Sequence, residues 1–194
     1  MLLGLLLLAS PPKDLPYLQA PAGKLYAEIV PGGRTILPNG RFLTPKGQRL
    51  FTLEDLWHLT VSPDGKRIVG FHDDGFSVFR VEGGKAALEQ RVNMRTRPAD
   101  DFGNRTAPAG AFSPDGKTLV ASTGDSGGLV LYDATTWQPK GGVSLTQAGL
   151  KDGYLNELLF SKDGKVLYGV DVATQHVVAI DTKDWKASKW VPAG

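Results

Sequence analysis

The chain of 194 residues carries 22 Lys and Arg against 20 Asp and Glu, a formal net charge of +2, and it contains no cysteine. A chain this close to neutral lacks the electrostatic footprint of a nucleic-acid binder, and the absence of cysteine excludes disulfides, thiolate zinc sites and cysteine nucleophiles. Its 24 glycines favour many short strands joined by tight turns, since glycine weakens helices and readily adopts positive φ angles.

Residues 1–22 are predicted to be a leader. They open with an uninterrupted apolar run, MLLGLLLLAS, which is too short to span a bilayer as a helix and is typical of the core of a secretion signal. Ala20-Pro21-Ala22 offers an A-x-A cleavage site that would release a chain beginning at Gly23. We therefore expect a secreted or periplasmic protein with no stable membrane span; a truncated or mis-started N-terminus is the alternative.

A hairpin is predicted next, over residues 34–51. Asn39-Gly40 lies there between apolar residues, and an Asn-Gly pair in this setting is the strongest short-range signal of a tight hairpin turn. The Gly-Gly pairs, Gly32-Gly33, Gly83-Gly84 and Gly141-Gly142, are likewise expected in hairpin turns or in turns at a sheet edge.

Three matching segments follow, and they predict the fold class. They open with the turns SPDGK, SPDGK and SKDGK, whose serines, Ser62, Ser113 and Ser161, lie 51 and 48 residues apart. An apolar residue recurs nineteen positions after each serine and an acidic residue at the twentieth, while Trp137 and Trp185 share the twenty-fourth. A repeat of this length is typical of propeller blades.

Each repeat is predicted to be four consecutive antiparallel strands. In the first repeat, alternating apolar residues at 57–61 predict a half-buried strand, and Asp64-Gly65 and Asp74-Gly75 make tight turns into the second and third strands. A more polar fourth strand is expected at residues 87–94. Four-stranded sheets stacked around an axis are the blades of a β-propeller. A pair of β-sandwiches is the alternative, but a sandwich does not repeat itself at this period.

The blades are expected at about residues 55–95, 107–145 and 155–194. Their Ser-Pro-Asp-Gly-Lys turns resemble those of bacterial YVTN-type and WD40-like propellers. The stretch LPNGRFLTPKGQRLF, Leu37–Phe51, is similar to a narrower group, in which a YncE-like propeller precedes an alkaline-phosphatase-like phosphoesterase domain. This second resemblance implies a metal-dependent catalytic domain outside these residues, and it carries over no catalytic residue, because no matching metal-ligand motif is present.

Three blades are fewer than a closed ring needs, because rings have four to eight. The sequence therefore predicts an all-β partial propeller that is a fragment of a larger ring. Its N-terminal hairpin would complete the last blade of that ring. An arc that associates with a second copy is the alternative. Residues 23–194 expressed alone are expected to aggregate or to form a defined oligomer.

Two local motifs point to catalysis or metal binding but have simpler interpretations. Gly124-Asp125-Ser126-Gly127-Gly128 is the string around the nucleophile of trypsin-like proteases, yet it lies at the offset of a turn between a second and a third strand. That chemistry also needs a His base and an orienting Asp, and His58, His72 and His176 stand in no matching context.

His72-Asp73-Asp74 could offer metal ligands, but neighbouring residues at a strand end point in opposite directions, which favours a solvated turn. We therefore predict no catalytic residue, cofactor or metal.

Binding at one face of the propeller is better supported. The turn between the second and third strands and the connection to the next blade share that face, and the connections at 93–109 and 146–156 are long. The predicted function is a non-catalytic exported scaffold that binds a protein, a glycan or a small ligand, but no nucleic acid. A solvated loop whose Arg and Asp side chains pair with each other is the alternative. The candidate binding residues are Asp73, Asp74, Arg95, Arg97, Asp100, Asp101, Arg105, Asp125, Asp152 and Tyr154. Trp137 and Trp185 are interpreted as blade-packing residues.

Overall fold

A computed structural model of the chain describes residues 20–30, 33–44, 46–50, 52, 55–94, 108–124, 127–145 and 153–193. Fourteen β-strands and no helix are found in these residues, so the prediction of an all-β chain is confirmed. Accordingly, the described ranges contain no helix that is long and apolar enough to cross a membrane. The chain divides into two compact units, Met1–Arg49 and Leu50–Gly194.

The first unit contains the hairpin that Asn39-Gly40 predicts. Strand β1 (Thr35–Ile36) pairs antiparallel with strand β2 (Phe42–Leu43), and Gly40 has a φ of +72° in the turn between them. Ala22 is buried against this hairpin, where its N–H donates to the Gly40 carbonyl at 2.9 Å. Cleavage after Ala22 would remove this contact from the folded unit.

The second unit consists of three four-stranded antiparallel sheets, in each of which consecutive strands are neighbours. The first blade contains β3 (His58–Val61), β4 (Arg67–His72), β5 (Gly75–Glu82) and β6 (Lys85–Asn93). The second contains β7 (Gly110–Phe112), β8 (Thr118–Ser122), β9 (Gly128–Asp133) and β10 (Pro139–Ser144). The third contains β11 (Leu155–Phe160), β12 (Val166–Asp171), β13 (His176–Asp181) and β14 (Lys186–Pro192).

The turn between the first and second strands is built in the same way in all three blades. A serine hydroxyl donates to the aspartate two residues later, at 2.6, 2.6 and 2.8 Å in the three blades. The aspartate accepts the lysine N–H that follows, and the next N–H donates back to the serine oxygen. The predicted equivalence of Ser62, Ser113 and Ser161 is therefore confirmed.

The blades stack through their apolar faces. One buried cluster joins the first and second blades, and in it the ring of Phe76 meets the edge of Tyr132 at 5.0 Å between centroids. Trp137 lies in the same cluster and contacts Phe76 and Phe112 edge-on. A second cluster joins the second and third blades; its members include Leu129, Leu145, Leu155, Leu158 and Leu167.

Two expectations about the strands are wrong. The sequence predicts a half-buried β3, but Leu59 and Val61 are 55% and 56% exposed, because they lie on a face of the first blade against which no described blade packs. Gly141-Gly142 lies inside β10, next to a bulge, instead of forming a turn. Gly83-Gly84 does form the β5–β6 turn, with φ angles of +56° and +74°; Gly32 is outside the described residues.

Candidate functional site

The predicted binding face is the edge of the blades at which the second strand turns into the third, and we call it the loop face. It contains the β4–β5, β8–β9 and β12–β13 turns and the strand ends where the chain passes between blades. In the first blade the N–H of Met94, just after β6, donates to the carbonyl of Asp74 at 2.7 Å. In the third blade the N–H of Val172 donates to the carbonyl of Tyr154, just before β11, at 3.0 Å. Turn and connection therefore share one edge, as the sequence predicts.

The β4–β5 turn is held tightly. Gly75 has a φ of +152°, and a Cβ at this position would lie 1.9 Å from the carbonyl oxygen of Val92. His72 is fully buried, with its Nε2 3.0 Å from the Oγ of Ser77. This corrects the expectation that residues 72–74 form a solvated turn, because only Asp73 and Asp74 reach the surface, each half-buried.

A buried polar residue stands ten positions after the serine in every blade. The three are His72, Thr123 and Asp171, exposed by 0%, 1% and 0%. Thr123 Oγ1 accepts the N–H of Gly128 at 3.0 Å across the β8–β9 turn. Each of these side chains thus braces one turn of the loop face. Sequence comparison of the repeats missed them, because the residue type differs in each blade.

Asp171 accepts several hydrogen bonds. Its carboxylate accepts the N–H of Tyr154 at 2.8 Å and that of Ala173 at 3.0 Å, and it also accepts the hydroxyl of Thr174. One buried side chain therefore joins the β12–β13 turn to the residue that leads into β11. An Asp at a strand end with a Thr three positions later is a turn signal that the sequence does contain.

The histidines lie apart from one another. His58, on the innermost strand of the first blade, has Nε2 3.2 Å from the Gly110 carbonyl and Nδ1 3.5 Å from the Glu157 carboxylate. His176 is at the surface of the third blade, with Nδ1 2.6 Å from the Thr174 carbonyl. Within the parts of the chain that the structure describes, no group of three His, Asp or Glu side chains is placed to hold a metal ion.

Most of the predicted binding residues lie outside the described residues, namely Arg95, Arg97, Asp100, Asp101, Arg105, Asp125 and Asp152. Ser126 of the protease-like string is also outside them. Of the same string, Gly124 and Gly127 have φ angles of +70° and +60°, are joined by a hydrogen bond of 3.1 Å and lie in the β8–β9 turn. Of the remaining candidates, Asp73 and Asp74 share one turn and Tyr154 lies at the start of the third blade.

A second candidate site lies at the opposite edge, between the second and third blades, and we call it the inter-blade groove. It has a volume of about 300 Å³, and its lining includes the aromatic residues Phe160 and Trp185 and the acidic residues Asp115 and Asp163. A serine hydroxyl, and then a backbone N–H, hold the pKa of both carboxyl groups below the usual range, so both are ionised at neutral pH. Blade packing, the role predicted for both tryptophans, holds for Trp137, which is 5% exposed in the first cluster, and for Trp185, which packs against the second cluster. The repeat pattern contains no signal that Trp185 is also half-buried beside a groove.

Comparison with known proteins agrees with this architecture. No protein-family model matches the chain, and no curated protein matches it. Hydrazine synthase from Kuenenia stuttgartiensis is similar in structure, with a TM-score of 0.55 and 22% identity over 76% of this chain and 38% of that chain. The WD40 repeats of RRP9 match with a TM-score of 0.55 and 19% identity over 76% of this chain and 41% of that chain. The structure of U3-55K gives the same four values.

At such identities the similarity concerns the fold alone. The second unit is a β-propeller arc of WD40-like architecture, with three four-stranded blades. The chain spans less than half the length of each of these solved structures.

Proposed function

We propose that this chain is a non-catalytic binding scaffold, an exported propeller segment whose loop face recognises a protein, a glycan or a small ligand. The observation that carries the proposal is the buried polar residue that braces each turn of this face, His72, Thr123 and Asp171. The imidazole, hydroxyl and carboxylate groups of these three residues are buried inside the turns, where they hold the backbone in place. Asp73, Asp74 and Tyr154 remain at the surface on this rigid frame, which suits recognition.

The connections that leave this frame support the same proposal. The chain between β6 and β7 and the chain between β10 and β11 both start and end at the loop face. Loops of unequal length on a rigid scaffold are where binding sites are usually found, and in repeat proteins they lie on one face.

The test is a binding screen with a matched pair of variants. The full chain is applied to arrays of immobilised glycans and of short peptides, together with a loop-face variant, Asp73→Ala/Asp74→Ala/Tyr154→Ala. A control variant, Glu82→Ala/Lys85→Ala, changes the opposite edge of the first blade. Binding that falls by about tenfold or more in the loop-face variant only is the expected result. Binding that is insensitive to the loop-face variant would contradict the proposal.

The non-catalytic part of the proposal has its own check at Ser126. A serine-directed fluorophosphonate should leave the wild-type chain unlabelled, and Ser126→Ala should change the free energy of unfolding by no more than about 0.5 kcal/mol. Stoichiometric labelling of Ser126 would show an activated nucleophile instead.

A second candidate function is the N-terminal module of a metal-dependent phosphoesterase. It is favoured by Leu37–Phe51, which resembles the corresponding segment of such proteins and whose first residues form the turn and the second strand of the β1–β2 hairpin. The propeller would then guide substrate to, or anchor, a catalytic domain encoded beyond Gly194. Reading the genomic frame past Gly194 decides this, because an alkaline-phosphatase-like domain would support the candidate and a stop codon would contradict it.

Export rests on the apolar run of residues 1–10 and on the A-x-A site. N-terminal sequencing of the protein recovered from the producing cell should show a chain that begins at Gly23. A mature chain that keeps Met1 would contradict export by a cleaved leader, and it would leave intact the hydrogen bond between Ala22 and Gly40.

A further inference from the structure

The two junctions between blades are built from equivalent positions. Trp137 and Trp185 both stand twenty-four residues after a blade serine, and both have left-handed φ angles, +59° and +55°. Arg67 and Thr118 both stand five residues after the serine of the preceding blade, and the N–H of each donates to that serine oxygen. Arg67 therefore holds at the first junction the place that Thr118 holds at the second.

The first junction is closed by the chain's own arginine. The guanidinium carbon of Arg67 lies 5.5 Å from the centre of the Trp137 ring, and Arg67 Nε donates to Glu89 at 3.2 Å. The indole N–H of Trp137 donates to the same carboxylate at 3.3 Å, as does Arg80 Nε at 3.2 Å. Burial alone would raise the pKa of Glu89, but the hydrogen bonds from Arg67, Trp137 and Arg80 outweigh it and lower that pKa. A guanidinium is thus held between an indole ring and a carboxylate.

The second junction has Thr118 at the equivalent position, and no arginine occurs among the described residues of the second and third blades. Thr118 has only a short hydroxyl side chain, and the inter-blade groove of about 300 Å³ opens between it and Trp185. Asp115 and Asp163 also line this space, and the carboxylate of Asp163 lies 3.6 Å from the exposed ammonium group of Lys165. Lys140 lies at its rim, where the ammonium group donates to Thr118 Oγ1 at 2.8 Å.

We propose that the inter-blade groove binds the guanidinium group of an arginine supplied by another molecule, stacked on Trp185 and paired with Asp115 and Asp163. A guanidinium suits this place because it stacks on aromatic faces and pairs with carboxylates through several N–H donors, whereas an ammonium is a compact point charge. The volume is at the lower end of the range for ligand pockets, which fits one side chain. The groove lies on the edge opposite the loop face, so this site is separate from the function proposed above.

The direct test follows the indole N–H signals of the full chain by NMR during titration. The probes are the capped peptide Ac-Gly-Arg-Gly-amide, its lysine counterpart and free arginine. The arginine peptide should shift the Trp185 signal saturably and leave the Trp137 signal in place. The lysine peptide should bind at least about fivefold more weakly than the arginine peptide. Tighter binding of the peptide than of free arginine would point to a partner protein, and the reverse order to a small guanidinium compound.

Two variants decide whether the junction comparison is correct. Thr118→Arg supplies the arginine in cis and should weaken peptide binding by about tenfold or more, because the new side chain fills the groove as Arg67 fills the first junction. Lys140→Glu replaces the rim ammonium with a carboxylate, as Glu89 provides at the first junction, and should strengthen binding about threefold or more. Lys85→Glu, the same charge reversal away from the groove, is the control.

Three results would overturn the proposal. These are equal binding of the lysine peptide, unchanged binding by the Thr118→Arg chain, and the absence of any Trp185 shift at millimolar peptide. Should Thr118→Arg fail to fold, Lys140→Glu and Trp185→Leu keep the test intact, since the first must strengthen binding and the second must abolish it.

Discussion

At the scale of single residues, Asp171 shows how one side chain orders a turn of the loop face. A buried carboxylate is costly to desolvate, so it persists only where hydrogen bonds compensate for the lost water. Here three backbone N–H groups and a hydroxyl supply those bonds, and they connect the β12–β13 turn to Tyr154.

Replacing Asp171 should therefore destabilise the fold. Asp171→Ala leaves the N–H groups of Tyr154 and Ala173 without this acceptor, and we expect the free energy of unfolding to fall by about 2 kcal/mol or more. Asp184→Ala, an exposed carboxylate in the same blade, should change it by no more than about 0.5 kcal/mol. Urea denaturation measures both, and equal effects would mean that Asp171 does not brace the turn.

The serine-bound aspartates make acid stability predictable. The serine hydroxyl, followed by the backbone N–H, lowers the pKa of Asp64, Asp115 and Asp163. A carboxyl group with a lowered folded-state pKa contributes its full stability above its unfolded pKa of about 3.9 and loses it as the pH falls through the folded value.

The variant Asp64→Asn/Asp115→Asn/Asp163→Asn should consequently lose less stability than the wild type between about pH 5 and pH 3. Urea midpoints of both chains, measured across that range, check this. A triple variant that is as acid-sensitive as the wild type would show that these turns do not govern acid stability.

At the scale of elements, the blades stack closely because Gly110 on β7 lets the second blade approach the first. A Cβ at Gly110 would lie 2.1 Å from the ring of Phe71 and 2.7 Å from the carbonyl of Val120. Phe71 belongs to the buried cluster between the first and second blades, so that cluster depends on this close approach.

Gly110→Ala should thus weaken the contact between the first two blades. Neither an aromatic ring in a packed core nor a strand carbonyl can yield without cost, and we expect a loss of about 2 kcal/mol or more in the free energy of unfolding. Gly141→Ala in the same blade meets only ordinary contact, 3.9 Å from Leu131, and is the matched control. Thermal unfolding in which Gly110→Ala is as stable as Gly141→Ala would refute the close approach.

The sequence predicted the elements well, because the blade serines and the tight turns recur at fixed offsets. The candidate sites were less predictable. The residue ten positions after the blade serine is His72, Thr123 or Asp171. Aligning the repeats by residue identity does not reveal that all three are buried. Likewise, Trp185 repeats Trp137, but the two junctions between blades differ because Thr118 stands where the first junction has Arg67. Thr118 comes close to Trp185 only because the second and third blades stack, and no local sequence pattern indicates that proximity.

At the scale of the whole second unit, both ends of the blade stack expose apolar surface. Val61 and Leu159 are 56% and 66% exposed, while the residues at the same offsets in the second blade, Phe112 and Ala111, are 8% and 7% exposed. Tyr168 in the third blade is 41% exposed, and its counterpart Val120 is fully buried. The two end faces therefore carry apolar residues at the positions that are buried between blades elsewhere in the stack. Contiguous apolar surface of this kind favours association.

The most direct test of the open stack of blades is the molar mass of residues 23–194, without the predicted leader, measured by light scattering coupled to size exclusion. Because both end faces repeat the buried inter-blade surface, we expect a defined oligomer or soluble aggregate. The variant Leu59→Lys/Leu159→Lys, which places a charge on each end face, should shift the chain toward the monomer. A wild-type chain that elutes as a monodisperse monomer and melts in one sharp cooperative transition would contradict the open stack of blades.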